Sequence, residues 1–490
     1  MQPSCEQILG YAKDYDVVPV CREIYADIIT PIGLLKKIAQ QSSYYYLLES
    51  VEGGEKWGRY SFLGYDPVMR VCCQDGTVTI EDGERTKEIQ TRQPMQVLRD
   101  ILKKYKAPRI QGFPPFAGGF VGYFAYSMIG YAEPTLHIKK GGFHDLDLML
   151  FDKVIAYDHL KQKIALIVNM KTDKVMENYG KAAADLEAMA AMIRQPDLGT
   201  KERPPREKIC FTCNVSKEAY CRIVEKTKEY IRSGDIFQAV ISRQFTSPYQ
   251  GSLLDAYRVL RTTNPSPYMV YLHIDKEEIM STSPETLVRL DQGRLVTFPV
   301  AGSRPRGRTA EEDKMLEREL LRDEKELAEH NMLVDLGRND LGKISSYNSV
   351  KVTGYQMIHR YSRIMHICSQ VEGDIRPECD GLDAVDAVLP AGTLSGAPKI
   401  RACEIIEELE SQERGIYGGA LGYLDFTGNL DTCIAIRMAV KKDGVVYVQA
   451  GGGIVADSVP EKEYEESANK AMAVMDAVER AQEVEETCCF

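Results

Sequence analysis

Residues 449–480 read QAGGGIVADSVPEKEYEESANKAMAVMDAVER and contain the clearest folding pattern in the chain. An apolar strand pattern is followed by three glycines, Gly451–Gly453, and then by a helix pattern. The segment Ser458-Val459-Pro460-Glu461 is typical of a capped helix start, so a helix is predicted from there past Glu479. The glycines are predicted to form a connection where backbone N–H groups approach an anion, with a tight turn as an equal alternative.

The two faces of this predicted helix differ in charge. Glu463, Glu466 and Lys470 share one face, and the opposite face is apolar: Tyr464, Ala468, Ala471, Met475 and Val478. One interpretation is a solvated face on which Glu466 pairs with Lys470. However, the charged face continues as Ala473, Val474 and Ala477, which predicts a helix buried nearly all round. Buried carboxylates need a partner, and a cation is the usual one.

A second predicted helix, RDEKELAEHNMLVDLGRND (322–340), repeats the spacing. Glu326 and Glu329 are three residues apart, and Glu329 lies on an apolar stripe. Asp323 and Glu326 also fit a capping box, which explains Glu326 but not Glu329. Two such pairs would suit a hard divalent ion that takes few protein oxygens, as Mg²⁺ does. Periodicity alone leaves the solvated face and the metal site equally open.

Composition indicates a globular protein without a nucleic-acid or membrane role. The chain has 490 residues, 44% of them hydrophobic, and a formal net charge of −11, which leaves no basic surface for phosphates. The N-terminus lacks a signal-peptide pattern and no apolar run has membrane-spanning length, so the expected location is cytoplasmic. Thirteen cysteines are scattered, and only Cys210 and Cys213 have a ligand-like spacing, which favours free thiols.

The chain is predicted to have two parts. Residues 1–205 form a sheet-rich lobe, and residues 206–490 alternate helix and strand patterns. Proline and charged residues at 197–208 indicate a connection between them. Hairpin signals such as Asp291-Gln292-Gly293 and Asp443-Gly444 favour antiparallel pairing.

Two further segments are candidates for binding an anion. The loop PAGTLSGAPK (390–399) is rich in Gly and Pro and offers the Thr393 hydroxyl. Arg437 lies inside the apolar run CIAIRMAV, where an unpaired guanidinium is costly and a bound anion would satisfy it.

Several motifs in series resemble the chorismate-utilising enzymes, and within them the anthranilate synthase component I group. The motifs are AEHNMLVDLGRNDLG, PAGTLSGAPK, GIYGGALGY, LDTCIAIR, QAGGGIV and EYEESANKA, together with LLES at 47–50. The resemblance implies an α+β fold with two lobes, in which mostly antiparallel sheets pack face to face and are covered by helices. It also implies conversion of chorismate and ammonia to anthranilate and pyruvate, the first committed step of tryptophan biosynthesis.

The resemblance assigns roles to matching residues. It implies that Glu329 and Glu466 bind Mg²⁺, with Glu326 and Glu463 as outer partners. It implies that chorismate is held by Tyr417, Arg437, Lys470 and the amides of Gly451, Gly452 and Gly453, with Thr393 and Gly396 near the ring. Glu285 matches the general acid for the 4-hydroxyl, and His366 matches a histidine associated with elimination of pyruvate. The alternatives are a core histidine at 366, a helix cap at 285 and simple packing of Tyr417.

Two positions discriminate between reactions. Isochorismate synthases resemble this chain but carry a lysine base where Gln238 stands, so activation of water is disfavoured. Aminodeoxychorismate synthases commonly carry a nucleophilic lysine where Ala301 stands, so ammonia is expected to add directly at C2. The neighbouring Ser303 replaces the usual threonine and keeps a hydroxyl. A chorismate-binding homologue without catalysis is a further alternative, which the matching acidic residues disfavour.

Partners are also implied by the resemblance. Only EVEETCCF follows Gln482, so a separate glutamine amidotransferase subunit is expected to supply ammonia. Feedback inhibition by tryptophan is expected at a pocket between the lobes, formed by Glu49, Ser50, Pro267, Tyr268 and Met269. An ordinary proline-rich turn entering a strand is the alternative for 264–269.

Overall fold

The computed structural model describes residues 1–50, 58–195, 208–361 and 364–484. Residues 197–207 of the predicted connection lie outside these ranges. Within them the chain forms twelve α-helices: α1 (Cys5–Tyr11), α2 (Pro31–Ala39), α3 (Pro94–Leu102), α4 (Ile129–Ala132), α5 (Val175–Arg194), α6 (Lys217–Arg232), α7 (Leu253–Thr263), α8 (Ala310–Leu320), α9 (Glu324–Gly342), α10 (Gly381–Val388), α11 (Lys399–Leu409) and α12 (Pro460–Arg480). None of these helices is long and apolar enough to cross a membrane.

The strands form two antiparallel sheets of twelve strands each. In chain order they are β1 (Val17–Tyr25), β2 (Tyr44–Glu49), β3 (Tyr60–Tyr65), β4 (Met69–Gln74), β5 (Thr77–Asp82), β6 (Arg85–Gln90), β7 (Gly119–Phe124), β8 (Leu146–Phe151), β9 (Lys153–Asp158), β10 (Lys163–Lys171), β11 (Thr212–Cys213), β12 (Gln238–Pro248), β13 (Tyr268–Ile274), β14 (Glu277–Ser283), β15 (Thr286–Asp291), β16 (Arg294–Thr297), β17 (Val300–Pro305), β18 (Lys351–Arg360), β19 (Ile364–Asp374), β20 (Gly396–Ala397), β21 (Ala420–Asp425), β22 (Leu430–Ile434), β23 (Met438–Lys442) and β24 (Val445–Ile454).

Both sheets draw strands from either side of residue 205. The first sheet has the order β1-β10-β9-β3-β2-β13-β14-β23-β24-β12-β11, with β20 beside β12. The second has the order β17-β19-β16-β15-β22-β21-β7-β8-β4-β5-β6, with β18 beside β19. The pairs β2–β13 and β7–β21 join the N-terminal and C-terminal parts of the chain. The sheets therefore continue across the predicted boundary, and the division into a regulatory and a catalytic region stays a prediction.

Three large apolar clusters hold the layers together. One cluster lies between the sheets and takes buried side chains from both, including Tyr46, Val270, Tyr123 and Leu421. The other two lie on the outer faces, where helices α2, α5, α7 and α12 cover the first sheet and α3, α9 and α10 cover the second. Each large apolar side chain buried in this way contributes about 1.5–3 kcal/mol to folding. The predicted α+β fold, with face-to-face antiparallel sheets under helices, is confirmed.

The three glycines of QAGGGIV lie inside strand β24 and not in a loop. Gly451, Gly452 and Gly453 pair with Ser242, Ile241 and Val240 of β12. At Gly451 a Cβ atom would lie only 2.5 Å from the Ile241 carbonyl oxygen, so the approach of the two strands requires glycine there. The predicted glycine-rich connection was wrong because glycine here serves close packing and not a turn.

Helix α12 begins and ends where the sequence predicts, but its cap and burial differ. Val459 is the N-cap and provides no side-chain hydrogen bond, while the Ser458 hydroxyl accepts from the Val455 N–H. The predicted capping box was therefore wrong. The buried stripe runs through Ser467, Ala471, Val474 and Val478, and Met472 is 45% exposed. Burial nearly all round was also a wrong prediction, because the helix lies on the outside of the first sheet.

Candidate active site

Glu285 lies in the short turn between β14 and β15, with its side chain buried. Thr393 Oγ1 donates a hydrogen bond to Glu285 Oε1 at 3.1 Å. Burial raises the pKa of Glu285 to about 8, although the Thr393 bond and the charges of Arg437 and Lys470 act in the opposite direction. A carboxyl group with this pKa is protonated at neutral pH and is suited to donate a proton.

His366 lies on β19, partly buried, with its Nδ1 atom 3.0 Å from the Gly302 carbonyl oxygen. A carbonyl oxygen only accepts hydrogen bonds, so Nδ1 carries the hydrogen and Nε2 is left as an acceptor. Burial lowers the pKa of His366 to about 4, and the ring is neutral in the physiological range. The arrangement fits a group that accepts a proton, and the catalytic role of His366 stays a prediction.

Gly302 was missed by the sequence analysis. It lies at a bulge between Ala301 and Ser303 in β17, with a φ of +68° that favours glycine. A Cβ atom there would lie 3.0 Å from Glu326 Oε2, so the absent side chain leaves room beside that carboxylate. The available signal was a glycine inside an otherwise strand-like segment, which often marks a bulge.

Arg437 carries the unpaired positive charge that the sequence predicts. Its φ of +48° is rare for a residue with a side chain, and burial lowers the pKa of its guanidinium. No carboxylate of the described residues forms a salt bridge with it, while the charge of Glu285 reaches it. A half-buried guanidinium without a carboxylate salt bridge is stabilised by binding an anion.

Tyr417 is buried beside an ion pair that was not predicted. Arg414 and Glu410 pair at 2.7 Å with both side chains almost fully buried. Arg414 also donates to the carbonyl oxygen of Leu394, next to Thr393. The pair thus holds the Thr393 loop beside the Tyr417 ring, whose pKa burial raises above its usual range. An i, i+4 Glu–Arg spacing was visible in the sequence, but nothing there indicated burial.

The other glycines with assigned binding roles also serve close packing. At Gly396 a Cβ atom would lie 2.1 Å from the Gln238 carbonyl oxygen, and at Gly453 only 2.0 Å from Gln238 Nε2. At Gly452 it would lie 3.1 Å from Glu463 Oε2. Any side chain at 452 or 453 would thus push against Gln238 or Glu463. Binding of substrate by these amides stays a prediction.

Glu329 and Glu463 face the same region from helices α9 and α12. Burial raises the pKa of Glu329, with the charge of Glu326 adding to the rise, while Lys325 and Lys470 lower it. Burial likewise raises the pKa of Glu463. The charge of Glu466 raises this pKa further, and the same two lysines lower it. The charges of the same two lysines act on both carboxylates, so Glu329 and Glu463 share one electrostatic environment.

Glu466 is less buried than predicted. Its side chain is 54% exposed and pairs with Lys470 at 2.8 Å. The Lys470 Nζ atom also donates to the Gly451 carbonyl oxygen at 3.1 Å. The described residues contain no group of three carboxylates, imidazoles or thiolates already gathered as metal ligands. Glu466 and Lys470 therefore form the solvated ion pair that the sequence analysis gives as one interpretation.

The donor set nevertheless fits a hydrated divalent cation. It consists of carboxylate oxygens, two of which belong to Glu329 and Glu463, whose pKa is raised by burial. Gln238 Nε2 lies 3.5 Å from Glu329 Oε1, and the buried Gln238 Oε1 atom has no hydrogen-bond partner. A hard cation that keeps most of its waters requires only one or two protein carboxylates and leaves water to satisfy such an atom.

A family model described as chorismate binding enzyme matches residues 46–476. The chain belongs to this family. Membership of the chorismate-binding enzymes confirms the resemblance inferred from the motifs and is consistent with a divalent metal.

Relatives of known name agree among themselves. The chain is 47% identical to anthranilate synthase component 1 of Acetivibrio thermocellus, over 98% of this chain and 99% of that one. It is 44% identical to the protein of the same name from Aquifex aeolicus, over 99% of each chain. The crystal structure of anthranilate synthase component I from Streptococcus pneumoniae superposes with a TM-score of 0.78, at 36% identity, over 92% of this chain and 99% of that one.

In this chorismate-binding enzyme the LLES and NPSPYM segments lie side by side. Glu49 is the register partner of Met269 in the β2–β13 pair, and Ser50 follows Glu49 at the end of β2. Pro267 immediately precedes β13, and the Tyr268 hydroxyl donates to Asp431 Oδ1 at 2.7 Å. The predicted inhibitor residues are thus neighbours at one end of these two strands.

Glu49 is fully engaged by protein donors. Its buried carboxylate accepts from the Tyr257 hydroxyl at 2.7 Å, from Arg261 Nε at 2.6 Å and from the Ser61 hydroxyl at 3.2 Å. These bonds tie helix α7 to strands β2 and β3. Glu49 therefore links these elements rather than offering a free carboxylate.

Replacing Glu285 by Gln tests its role as proton donor. A role of protonated Glu285 as the proton donor predicts that kcat falls as the pH rises through about 8 in the wild type. Glu285→Gln should lower kcat by about 10²–10⁴-fold and remove this dependence. The rates are measured with the concentration of free ammonia held constant at each pH. Glu407→Gln, at a half-buried glutamate whose pKa is also raised, is the matched control and should keep the wild-type profile.

Proposed function

We propose that this chain converts chorismate and ammonia to anthranilate, pyruvate and water, in the biosynthesis of tryptophan. The single observation that carries the proposal is the buried Glu285 carboxyl, which Thr393 holds at 3.1 Å and which lies within electrostatic reach of the Arg437 guanidinium. The names of the relatives at 44–47% identity over nearly the whole chain support the same reaction.

Chorismate carries two carboxylates, and the site offers cationic and polar groups for them. Arg437 has no competing carboxylate partner among the described residues, and Lys470 exchanges its bond to Glu466 for one to substrate. Strand β23 pairs with β24 only as far as Val448, so no strand of the described residues pairs with Gly451–Gly453 on the side away from β12, and the second anion is assigned to this edge. Tyr417 lies near Gly451 at this edge.

The residues divide the chemistry between an acid and a base. Glu285 protonates the 4-hydroxyl of chorismate, which leaves as water while ammonia bonds to C2. Thr393 holds the Glu285 carboxyl in place during this step. The ammonium formed at C2 then returns a proton to Glu285. His366 Nε2 accepts the C2 proton as the C3–O bond breaks and the ring becomes aromatic, and the departing enolpyruvate takes up that proton to give pyruvate. Because Glu285 starts neutral, it does not repel the substrate carboxylates.

Magnesium is the cation that best suits the carboxylate pairs. Glu329 and Glu466 would hold it, and Glu326 and Glu463 would orient its waters. When bound, it neutralises a substrate carboxylate and so favours binding and charge development in the ring. The charges of Lys325 and Lys470 partly balance those of Glu329 and Glu463.

Other chorismate reactions have less support. Gln238 provides no base for water where isochorismate synthases carry lysine, and it lies beside Glu329. Ala301 provides no nucleophile for amination at C4 and is buried against β19. Two solved isochorismate synthases at 17% and 20% identity are similar in fold alone.

Ammonia is supplied by a separate glutamine amidotransferase subunit. The designation component 1 in the relatives' names implies a second component and supports this partner. Ammonia must reach the substrate close to the base His366. This residue lies on β19, which pairs with β18 at one end of the second sheet. The neutral ring of His366 does not protonate ammonia there.

A fluorescence assay of the purified chain tests the reaction. With chorismate, Mg²⁺ and an ammonium salt, anthranilate fluorescence should appear, and EDTA should abolish it. Glu466→Gln should lower the rate at least 100-fold at limiting Mg²⁺, because it removes a metal ligand. Glu465→Gln makes the same charge change on the exposed side of the same helix and should retain wild-type activity.

The other outcomes of this assay are informative. Consumption of chorismate without anthranilate would favour an aminodeoxychorismate or isochorismate product. No consumption at all would mean a binding protein without catalysis. Equal activity of Glu466→Gln and Glu465→Gln would contradict the metal assignment.

Feedback inhibition by tryptophan is part of the proposed function. It is supported by the adjacency of β2 and β13, whose ends bring Ser50 next to Pro267 and Tyr268. Strand β13 leads through β14 directly to Glu285, so a ligand at these strand ends can shift the equilibrium of the catalytic turn.

The Tyr268→Phe variant tests this pocket. It removes the bond to Asp431 that orients the ring, worth about 1 kcal/mol, and should raise the half-inhibitory concentration of L-tryptophan about fivefold. The thermal stabilisation by tryptophan should decrease in parallel. Tyr447→Phe, on β24 away from this pocket, should behave as wild type. Unchanged inhibition in Tyr268→Phe would argue against the assigned pocket.

A further inference from the structure

Arg243 is one of the most completely buried large side chains of the protein, at 2% exposure. It lies on β12 and has no salt bridge to any carboxylate of the described residues. Burying a guanidinium without a counter-charge is costly unless every donor is satisfied and aromatic faces replace the lost water. The interactions that compensate this cost indicate what the residue does.

The compensating interactions are concentrated on one short segment of helix α12. Arg243 Nη2 donates to the Tyr464 carbonyl oxygen, and Nε donates to the Ser467 hydroxyl at 3.0 Å. The guanidinium lies 3.7 Å from the centre of the Tyr464 ring, and Phe245 and Tyr220 flank it at 5.1 and 5.4 Å. Nη1 reaches the Cys213 sulfur at 3.8 Å.

Tyr464 and Ser467 are one helical turn apart. Tyr464 directly follows Glu463, and Ser467 directly follows Glu466, and both glutamates belong to the proposed metal site. Holding a helix at two points a turn apart fixes both its rotation and its position along the axis. At an outer radius of about 5–6 Å, a rotation of about 20° would move a side-chain group by about 2 Å. This is as long as a whole Mg²⁺–oxygen bond, about 2.0–2.1 Å. The anchor therefore determines whether Glu463 and Glu466 can reach a shared cation.

Strand β12 also supports the other half of the site. Gln238 lies at its first position, with Nε2 3.5 Å from Glu329 Oε1 on helix α9. Successive side chains of a strand alternate in direction, so Gln238 and Arg243 project from opposite faces of β12. One strand thus contacts both carboxylate-bearing helices.

We propose that Arg243 is a positioning residue for the cation site, an inference that rests on the proposed function. Its guanidinium holds the first turns of α12 on β12, so that Glu463 and Glu466 face Glu329. The residue touches neither substrate nor cation. Lys228, which donates to the Ser458 carbonyl oxygen at 2.6 Å, secures the loop before the helix and not its rotation.

The test is a titration of the full chain with Mn²⁺, in which electron paramagnetic resonance reports the free ion without turnover. Arg243→Lys keeps the charge but cannot donate to both acceptors and stack, and should raise the dissociation constant at least fivefold. Arg243→Met should raise it more than tenfold. The Mg²⁺ concentration for half-maximal activity should rise in parallel, while kcat at saturating Mg²⁺ recovers most of its value.

Arg70→Lys is the matched control. Arg70 is a largely buried arginine on β4 of the other sheet, bonded to Asp147 at 2.9 and 2.6 Å. Its replacement should lower the melting temperature but leave Mn²⁺ affinity within twofold of wild type. Ser467→Ala removes one anchoring bond with little effect on folding and should weaken Mn²⁺ binding about threefold, even if Arg243→Met does not fold.

The outcomes separate the inference from the proposed function. Mn²⁺ affinity unchanged in both Arg243→Lys and Ser467→Ala, with binding by the wild type, would overturn the positioning role and leave the proposed function intact. Absence of Mn²⁺ binding in the wild type, with and without chorismate, would overturn the magnesium site itself, and the positioning role with it.

Discussion

The antiparallel pairing of β12 with β24 is the interaction on which the rest of the site depends. Ten consecutive residue pairs join these strands, and glycines in β24 let the backbones and neighbouring side chains approach closely. One face of β12 supports Gln238 and Ser242, the latter bonded to Glu410 of the buried ion pair. The other face holds helix α12 through Arg243. The Gln238 side chain, the Gly451–Gly453 backbone and the first turns of α12 are thus all positioned by this two-stranded support.

Electrostatics explain how an acidic chain binds a dianion. The net charge of −11 makes long-range attraction of chorismate unfavourable, so binding must come from local groups. Arg437 is left without a carboxylate partner among the described residues, and Glu285 is kept protonated by burial. By contrast, Glu410 and Arg414 neutralise each other beneath the site and serve as structure. Ionisable groups that lie close together therefore have different roles. Those with a charged partner support the structure, and those without one are available to the substrate.

The parts of the site that follow local periodicity could be predicted from the sequence, whereas long-range contacts could not. The three-residue spacing of Glu326 and Glu329 identified one helix face, and motif resemblance identified Glu285. The pairing of β2 with β13 joins residues more than 200 positions apart, and no local pattern specifies that register. Gly451–Gly453 were predicted to form an anion-binding connection or a tight turn, because both are common uses of clustered glycines. Arg243 and Arg414 were missed because no local run as apolar as the one around Arg437 marks them as buried.

The central claim is that carboxylates from α9 and α12 bind one cation together. The most direct measurement is an anomalous difference map from a crystal of the full chain soaked with Mn²⁺ and chorismate. A single peak within bonding distance of both Glu329 and Glu466, at about 2.0–2.3 Å, is the expected result. A peak bonded to only one of the two helices, or located elsewhere, would contradict the account.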